Sequence, residues 1–295
     1  AWLNNFIDAT FRREARYVDF IQEYNETLAN SQTAAEKARW IALHTAMAKV
    51  WHEEYRREPE LAHIKLILCE TAIGNDIPLA IARAAVRYDA LLGYHPYQVC
   101  RLSDVTADCM LSSFDLRFDA PRPNFRNGSL YKMHTTATDR NPQSAGSEAA
   151  AIPNPTSDIP HPEYVSPHDW RWYSGRWAFM DAEFAAQGVK PTWAFGEMGP
   201  VLDASPDWSG WLDPMGGWKH RDCLKGDFDK YLQVQKYWLD NVMQTPAYKD
   251  GRILGGTLFT SGAPGSGSDW SNFDLQQPQM DRLADFVREY DYAPV

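Results

Sequence analysis

Short apolar runs alternate with longer amphipathic stretches along most of this 295-residue chain. Each run is long enough for one strand, and each stretch has helical spacing of its apolar residues. Strands that alternate with helices form parallel sheets, because each helix returns the chain to the same end of the sheet. The sequence therefore predicts an α/β fold. The predicted strands are 17–22, 63–69, 90–93, 191–196 and 253–259, and the predicted helices are 2–15, 34–56, 78–88, 169–187, 227–243 and 277–290.

The number of strand–helix units bears on the type of α/β fold. We count about five units after one leading helix, whereas a closed (β/α)₈ barrel of the TIM type has eight. Residues 98–168 interrupt the alternation and are rich in Pro, Ser, Thr, Asn and Asp. A loop of this length inside a compact domain is usually functional or disordered. We therefore predict that residues 1–295 form a single barrel domain, in which 98–168 is an insertion that forms a lid or a cleft wall.

Charge and hydropathy exclude some partners. The net charge is −10, from 29 basic and 39 acidic residues, and neither nucleic acid nor an anionic membrane surface suits an acidic protein. No stretch is long and apolar enough to span a membrane. We therefore expect neither nucleic acid nor a membrane as partner.

The composition also points towards one class of ligand. The chain has 12 Trp and 14 Tyr residues, and Trp rings stack on the C–H faces of sugars. These residues suit a carbohydrate-binding cleft, and the alternative is a large aromatic core. The four cysteines lack metal-type spacing. Cys69 is predicted to be a buried thiol, and whether Cys100 pairs with Cys109 depends on the compartment, which the sequence leaves open.

Two of the predicted strands lead directly into a carboxylate. The first is followed by Asn25-Glu26, and the second continues into Glu197, which lies between Gly196 and Gly199. Two carboxylates at the ends of separate strands are what cleavage of a glycosidic bond requires, since one protonates the leaving oxygen and the other attacks the anomeric carbon. The sequence therefore identifies Glu26 and Glu197 as candidate catalytic residues.

The order of these motifs resembles the clan of retaining glycoside hydrolases built on (β/α)₈ barrels, which contains the family 5 and family 39 enzymes. In that clan the acid/base glutamate ends strand four directly after an asparagine, and the nucleophile ends strand seven. The resemblance implies that Glu26 is the acid/base and Glu197 the nucleophile. It also implies that Asn25 donates a hydrogen bond to the sugar hydroxyl beside the anomeric carbon. Such an enzyme needs no metal and no organic cofactor.

Further positions of the resemblance lie near the strand ends. His95-Pro96-Tyr97 resembles the strand-six motif of the clan, which implies that His95 or Tyr97 holds Glu197 in its attacking conformation and that both line the substrate site. Glu70 would end strand five as a rim residue. Phe259 stands where the clan usually has a Trp that lines the sugar site, a departure that alters the predicted shape of that subsite.

The long loop after strand seven supplies the predicted stacking residues. Trp208, Trp211 and Trp218 lie in this loop, on the face where barrel loops build active sites. We predict that one or two of them stack on sugar, with Trp208 and Trp211 as the candidates. Strands one to three of the clan have no counterpart, so about a hundred residues would be expected before Ala1. Either the chain is incomplete at its N-terminus, or the strand register differs from this scheme.

Three other readings compete with a hydrolase that acts on an oligo- or polysaccharide. The first is a non-catalytic carbohydrate-binding barrel with the same aromatic cleft. The second, an α/β hydrolase or metal enzyme, is disfavoured because the chain has neither a Gly-x-Ser-x-Gly elbow nor a His-Glu-x-x-His motif. The third is a scaffold protein, although barrels usually carry sites on their loops. The sugar, the linkage, the oligomeric state and the compartment are not determined by the sequence.

Overall fold

The computed structural model describes residues 7–29, 32–71, 75–100, 174–202, 217–219, 224–261 and 271–290. Most of the predicted insertion, together with Trp208 and Trp211, lies outside these residues. The helices are α1 (Ala9–Glu14), α2 (Ala34–Glu53), α3 (Leu79–Arg87), α4 (Arg176–Ala186), α5 (Phe228–Gln244), α6 (Pro246–Lys249) and α7 (Gln277–Glu289). The strands are β1 (Phe20–Gln22), β2 (Lys65–Thr71), β3 (Leu91–Tyr94), β4 (Gln98–Cys100), β5 (Thr192–Met198), β6 (Pro200–Leu202) and β7 (Ile253–Leu258). Among these helices, none is long and apolar enough to cross a membrane.

The chain forms two compact units. Unit one comprises Ala1–His95, Met180–Gly196 and Arg252–Gly255, and unit two comprises Pro96–Phe179, Glu197–Gly251 and Gly256–Val295. The chain passes from unit one to unit two within β5, between Gly196 and Glu197, and again within β7, after Gly255.

Unit one contains a five-stranded sheet in the order β1-β2-β3-β5-β7. The pairs β1–β2, β2–β3 and β3–β5 are parallel. The last pair runs in the same direction, since the N–H of Trp193 bonds the carbonyl of Arg252 and, further along both strands, the N–H of Phe259 bonds that of Met198. The predicted α/β class with a parallel sheet is therefore confirmed.

Apolar strands and apolar helix faces explain how unit one is held together. Leu66, Leu68, Leu92 and Trp193 are fully buried, as expected for a parallel sheet whose strands are apolar on both faces. Helix α2 begins with a capping box in which Thr33 and Glu36 bond each other's backbone, and it buries His44, Met47, Ala48 and Trp51. Helix α3 packs on the sheet through Ile81, Ala82, Ala84 and Ala85.

A largely buried ion pair links α4, which carries Asp181, to the beginning of β7 in unit one. Arg252 bonds both carboxylate oxygens of Asp181, at 2.6 and 2.8 Å, and the indole N–H of Trp193 donates to the same carboxylate. Bidentate pairing of this kind fixes geometry as well as charge. Because it lies at the amino-terminal ends of the strands, it fits a role in stability.

Unit two has a small sheet and an aromatic core. Strands β4 and β6 pair in parallel, with Gln98 opposite Pro200. Trp218, Phe228 and Tyr231 are buried together, with ring centroids 5.0–5.8 Å apart. Burial raises the pKa of the Tyr231 hydroxyl. Trp218 is therefore a core residue and is not available to stack on a sugar.

Most predicted elements are present with shifted ends. The predicted strand 17–22 is reduced to β1, and helix 34–56 ends at Glu53, followed by a short 3₁₀ helix at Tyr55–Arg57. Strand 191–196 extends by two residues, so that Glu197 lies inside β5. The sequence did not predict β4, β6 or α6.

Candidate active site

Glu26 lies on a tight corner beyond the end of β1 in unit one. Its backbone N–H donates to the carbonyl of Glu70 at 2.8 Å, and Asn25 forms a parallel bridge with the same residue. Glu26 has a φ of 52°, in the left-handed region that non-glycine residues rarely adopt. Its side chain remains about one-third exposed, at 34%. The corner therefore presents a solvent-accessible carboxylate on a strained backbone, which is common at functional sites.

Asn25 is exposed on the same corner. Its Oδ1 accepts a hydrogen bond of 3.2 Å from the side chain of Gln22. With Oδ1 engaged in this way, the amide group is oriented by the protein, and Asn25 retains N–H groups suited to a sugar hydroxyl.

A buried polar network, which the sequence analysis did not find, holds both ends of this corner. Helix α2 contributes His44, which is fully buried. Its Nδ1 bonds the carboxylate of Glu23, and its Nε2 lies 2.8 Å from the hydroxyl of Thr27. The N–H of Cys69 also donates to Glu23, at 3.1 Å. A neutral imidazole satisfies both contacts when Nδ1–H donates to Glu23 and Nε2 accepts from Thr27.

His95, at the end of β3, lies between two carboxylates of unit one. It is 1% exposed. Its Nδ1 is 2.9 Å from Oε1 of Glu26, and its Nε2 is 3.4 Å from Oε1 of Glu70. The sequence analysis associated His95 with the nucleophile. In unit one, His95 contacts Glu26, the proposed acid/base, and Glu70, a second carboxylate that is buried.

Glu70 differs from the expectation drawn from the clan. It is 2% exposed, so it is not a rim residue. Within the described residues, its Oε2 is buried without a hydrogen-bond partner. A carboxylate in this position is costly to bury unless a neighbour compensates for it, and His95 is the basic side chain beside it.

In unit two, Glu197 is held by Tyr97. The hydroxyl of Tyr97 donates to Oε2 of Glu197 at 2.6 Å, a short bond of the charge-assisted type. Tyr97 is 4% exposed. The sequence left open whether His95 or Tyr97 contacts Glu197, and this hydrogen bond shows that Tyr97 does.

The small sheet of unit two fixes the position of Tyr97. Directly after it, the N–H of Gln98 bonds the carbonyl of Gly199 at 3.1 Å. The side chain of Gln98 is buried, and its Oε1 accepts a bond of 2.9 Å from Gln235 of α5. Because β4 begins directly after Tyr97 and β6 begins three residues after Glu197, their pairing sets the register in which the hydroxyl meets the carboxylate.

Phe259 closes the aromatic surroundings of Tyr97 in unit two. The rings of Phe259 and Tyr97 are in edge contact at 6.3 Å, and Phe273 contacts both, at 5.4 and 6.4 Å. The peptide bond between Phe259 and Thr260 is cis. Phe259 is thus placed beside a residue that holds Glu197, whereas the predicted stacking residues Trp208 and Trp211 lie outside the described residues.

Cys69 precedes Glu70 in β2 and is a free, buried thiol, as the sequence predicted. Burial raises the pKa of this thiol from 9.0 to about 12. The thiolate, which is the nucleophilic form, is therefore scarcely populated at neutral pH. Cys69 is thus unsuited to act as a nucleophile.

We compared the chain with models of known protein families, with curated proteins and with solved structures, and none of the three comparisons found a match.

Proposed function

We propose that this protein is a retaining glycoside hydrolase that cleaves O-glycosidic bonds of an oligo- or polysaccharide. In this proposal Glu26 is the general acid/base and Glu197 is the nucleophile. The fold is that of a (β/α)₈ barrel, of which β1, β2, β3, β5 and β7 are strands four to eight.

The order of the strands supports the barrel. Neighbouring strands in the main sheet follow chain order without reversal, whereas doubly wound sheets reverse their order at a switch point. The residues assigned to catalysis follow or end β1 and β5, at the carboxyl ends of the strands, where barrel enzymes carry their active sites.

The observation that carries the proposal is the pair of contacts made by one short segment. His95 bonds Glu26 in unit one, and Tyr97, two residues later, bonds Glu197 in unit two. A strand end that supplies a dedicated partner for each of two carboxylates fits a two-carboxylate mechanism better than a structural role. It is also the segment that the resemblance to the clan singled out.

The proposed reaction is a double displacement. Glu26 protonates the glycosidic oxygen while Glu197 attacks the anomeric carbon, which releases the leaving alcohol and forms a glycosyl ester on Glu197. Glu26, now ionised, removes a proton from water, which attacks the ester and releases the sugar with retained configuration. Tyr97 orients the attacking carboxylate. Asn25 donates to the neighbouring sugar hydroxyl, a bond that strengthens in the transition state.

The experiment uses a panel of nitrophenyl glycosides, and of methyl glycosides as substrates with poor leaving groups, of glucose, mannose, galactose and xylose, with NMR detection of the anomer released first. Glu197→Gln is expected to lower kcat by at least about a thousandfold, as removal of a catalytic nucleophile does. Glu26→Gln is expected to lower it by roughly a hundred- to ten-thousandfold for poor leaving groups. Glu53→Gln, on the exposed end of α2, is the matched control and should leave kcat unchanged.

The outcomes separate the alternatives. Product of retained configuration, together with a covalent 2-fluoroglycosyl adduct mapped to Glu197, would support the proposal. Inverted product would retain hydrolysis but would overturn the nucleophile role. Binding of oligosaccharides by calorimetry, with no turnover of any glycoside, would favour the non-catalytic carbohydrate-binding protein.

A further inference from the structure

Unit one contains a slot, formed by two glycines, that accommodates the side chain of Glu70. A Cβ atom added to Gly93 of β3 would lie 2.9 Å from both Cα and Cβ of Glu70. A Cβ atom added to Gly196 of β5 would lie 1.5 Å from its Oε1. The two strands that follow β2 in the sheet, β3 and β5, thus have glycines where the side chain of Glu70 lies. The carboxylate of Glu70 therefore extends over both strands.

The slot brings a buried carboxylate to the far side of His95. Oε1 of Glu70 lies 3.4 Å from Nε2 of His95, whereas Nδ1 of His95 is 2.9 Å from Glu26. An apolar side chain would fill a buried slot at lower desolvation cost. The burial of the Glu70 carboxylate therefore requires an explanation. The imidazole of His95, which lies between Glu70 and Glu26, provides it.

The reason lies in where the imidazole carries its proton. A neutral imidazole has one N–H donor and one acceptor nitrogen. If the ring is neutral and Nε2–H faces Glu70, then Nδ1 is an acceptor, and Glu26 completes the hydrogen bond with its own proton, whereas an imidazolium would donate from both nitrogens and leave Glu26 ionised. With the neutral ring, Glu26 is held as a carboxylic acid, the form that the first step of the reaction consumes.

We propose that Glu70 is a positioning residue that holds His95 with its proton on Nε2, so that Glu26 starts the reaction as an acid. This inference rests on the proposed function. The proton balance is simple: Glu26 gives its proton to the leaving oxygen as the glycosidic bond breaks, and it recovers one from the water that hydrolyses the ester. The proton on Nε2 stays in place throughout, and Glu70 touches neither substrate nor the reacting atoms.

The test compares two substrates that differ in their need for an acid. A dinitrophenolate leaves without protonation, whereas a simple alcohol does not. With Glu70→Leu, we expect kcat/KM to fall about ten- to hundredfold for a methyl or oligosaccharide glycoside, the range of general acid catalysis lost in part, and to change less than threefold for the dinitrophenyl glycoside. Equal losses on both substrates, or no loss on either, would overturn the proposal.

A matched control distinguishes positioning from general damage. Asp181 is another buried carboxylate of unit one, bonded to Arg252 and Trp193. Asp181→Asn should lower thermal stability, and any effect on activity should be equal for the two substrates. Glu70→Gln, which keeps the shape of the side chain, serves as the second variant if Glu70→Leu does not fold.

A second measurement needs no activity. The ¹⁵N chemical shifts of the labelled imidazoles report which nitrogen of His95 is protonated, with His95→Gln used to identify its signals among those of the 8 histidines. We expect protonated Nε2 and bare Nδ1 in the wild type, and loss of that preference in Glu70→Leu. A wild-type His95 protonated on Nδ1, either alone or together with Nε2, would overturn the inference even in an active hydrolase. If no glycoside is turned over while His95 is protonated on Nε2, the proposed function fails and the tautomer assignment stands.

Discussion

The hydroxyl of Tyr97 donates a hydrogen bond of 2.6 Å to Oε2 of Glu197. The acceptor is the carboxylate that the proposed mechanism uses as nucleophile, so the bond selects its conformation. The pairing of β4 with β6 fixes the backbone on both sides of this contact. In the proposed mechanism, Tyr97 therefore acts through the orientation of Glu197.

Tyr97→Phe removes this hydrogen bond and keeps the ring contacts with Phe259 and Phe273. A hydrogen bond to a charged group contributes about 1.5–3 kcal/mol, so we expect kcat/KM to fall roughly ten- to hundredfold. Tyr17→Phe, at a side chain that is 70% exposed, should leave kcat/KM unchanged. A Tyr97→Phe enzyme with wild-type kinetics would show that the hydroxyl does not orient the nucleophile.

The left-handed conformation of Glu26 predicts that Gly is more stabilising than Ala at this position, which is the reverse of their usual order in a helix. A non-glycine residue in this region costs about 1–2 kcal/mol, so Glu26→Gly should be more stable to urea than Glu26→Ala by roughly 1 kcal/mol. At Lys49, an exposed interior position of α2, Ala should instead be the more stable by a similar amount, about 1 kcal/mol. Equal stability of the two Glu26 variants would mean that the corner is not strained in solution.

The pattern of the sequence predicted the elements that burial determines. β2, β3 and β5, with the helices between them, were found because each buries an apolar run or face. β7 was found from its apolar residues, although its middle residues are exposed. β4 and β6 were missed because three-residue strands are specified by their pairing partner rather than by their own residues. Glu197 was placed after its strand for a related reason: β5 continues through Gly196 and Glu197, which carry no apolar signal.

The sequence likewise identified some of the polar residues of the site and misplaced or missed others. Asn25-Glu26, His95 and Tyr97 were recognisable because each lies within four residues of the end of an apolar strand. Glu70 was noticed but assigned to the rim, since the glycine slot that buries it comes from two other strands. His44 did carry a signal that was not used: it is spaced four and seven residues from Trp40 and Trp51, on the face where α2 buries its apolar residues.

Cys69 offers a chemical probe of whether β2 is folded. Burial raises the pKa of its thiol to about 12, so at pH 8.5 the native protein should react with iodoacetamide at least about a hundredfold more slowly than the urea-unfolded chain. Mass spectrometry of the peptide that contains Cys69 measures this ratio separately from the other three cysteines. Rapid modification of native protein would show that β2 opens readily.

The same raised pKa has a consequence for stability at high pH. Folding favours the protonated thiol, so the stabilising contribution is fully present below pH 9.0 and is lost progressively as the pH rises towards about 12. Cys69→Ala should therefore flatten the loss of stability above pH 9.0, measured by urea denaturation. An unchanged slope would contradict the assignment of this thiol as protonated in the folded state.

His44 is expected to stabilise the corner that carries Glu26, because it bonds residues on both sides of it. His44→Ala removes the imidazole N–H from the buried carboxylate of Glu23 and leaves it with the backbone N–H of Cys69, and we expect a loss of about 3 kcal/mol in the free energy of unfolding. His52→Ala, at an exposed position of the same helix, should change the free energy of unfolding by no more than about 0.5 kcal/mol.

His44→Asn and His44→Gln place an amide near the former Nδ1 and Nε2 respectively, so they separate the bond to Glu23 from the bond to Thr27. Since only Glu23 carries charge, His44→Asn should recover more stability than His44→Gln in urea denaturation, and the opposite order would mean that the bond to Thr27 is the one that holds the corner.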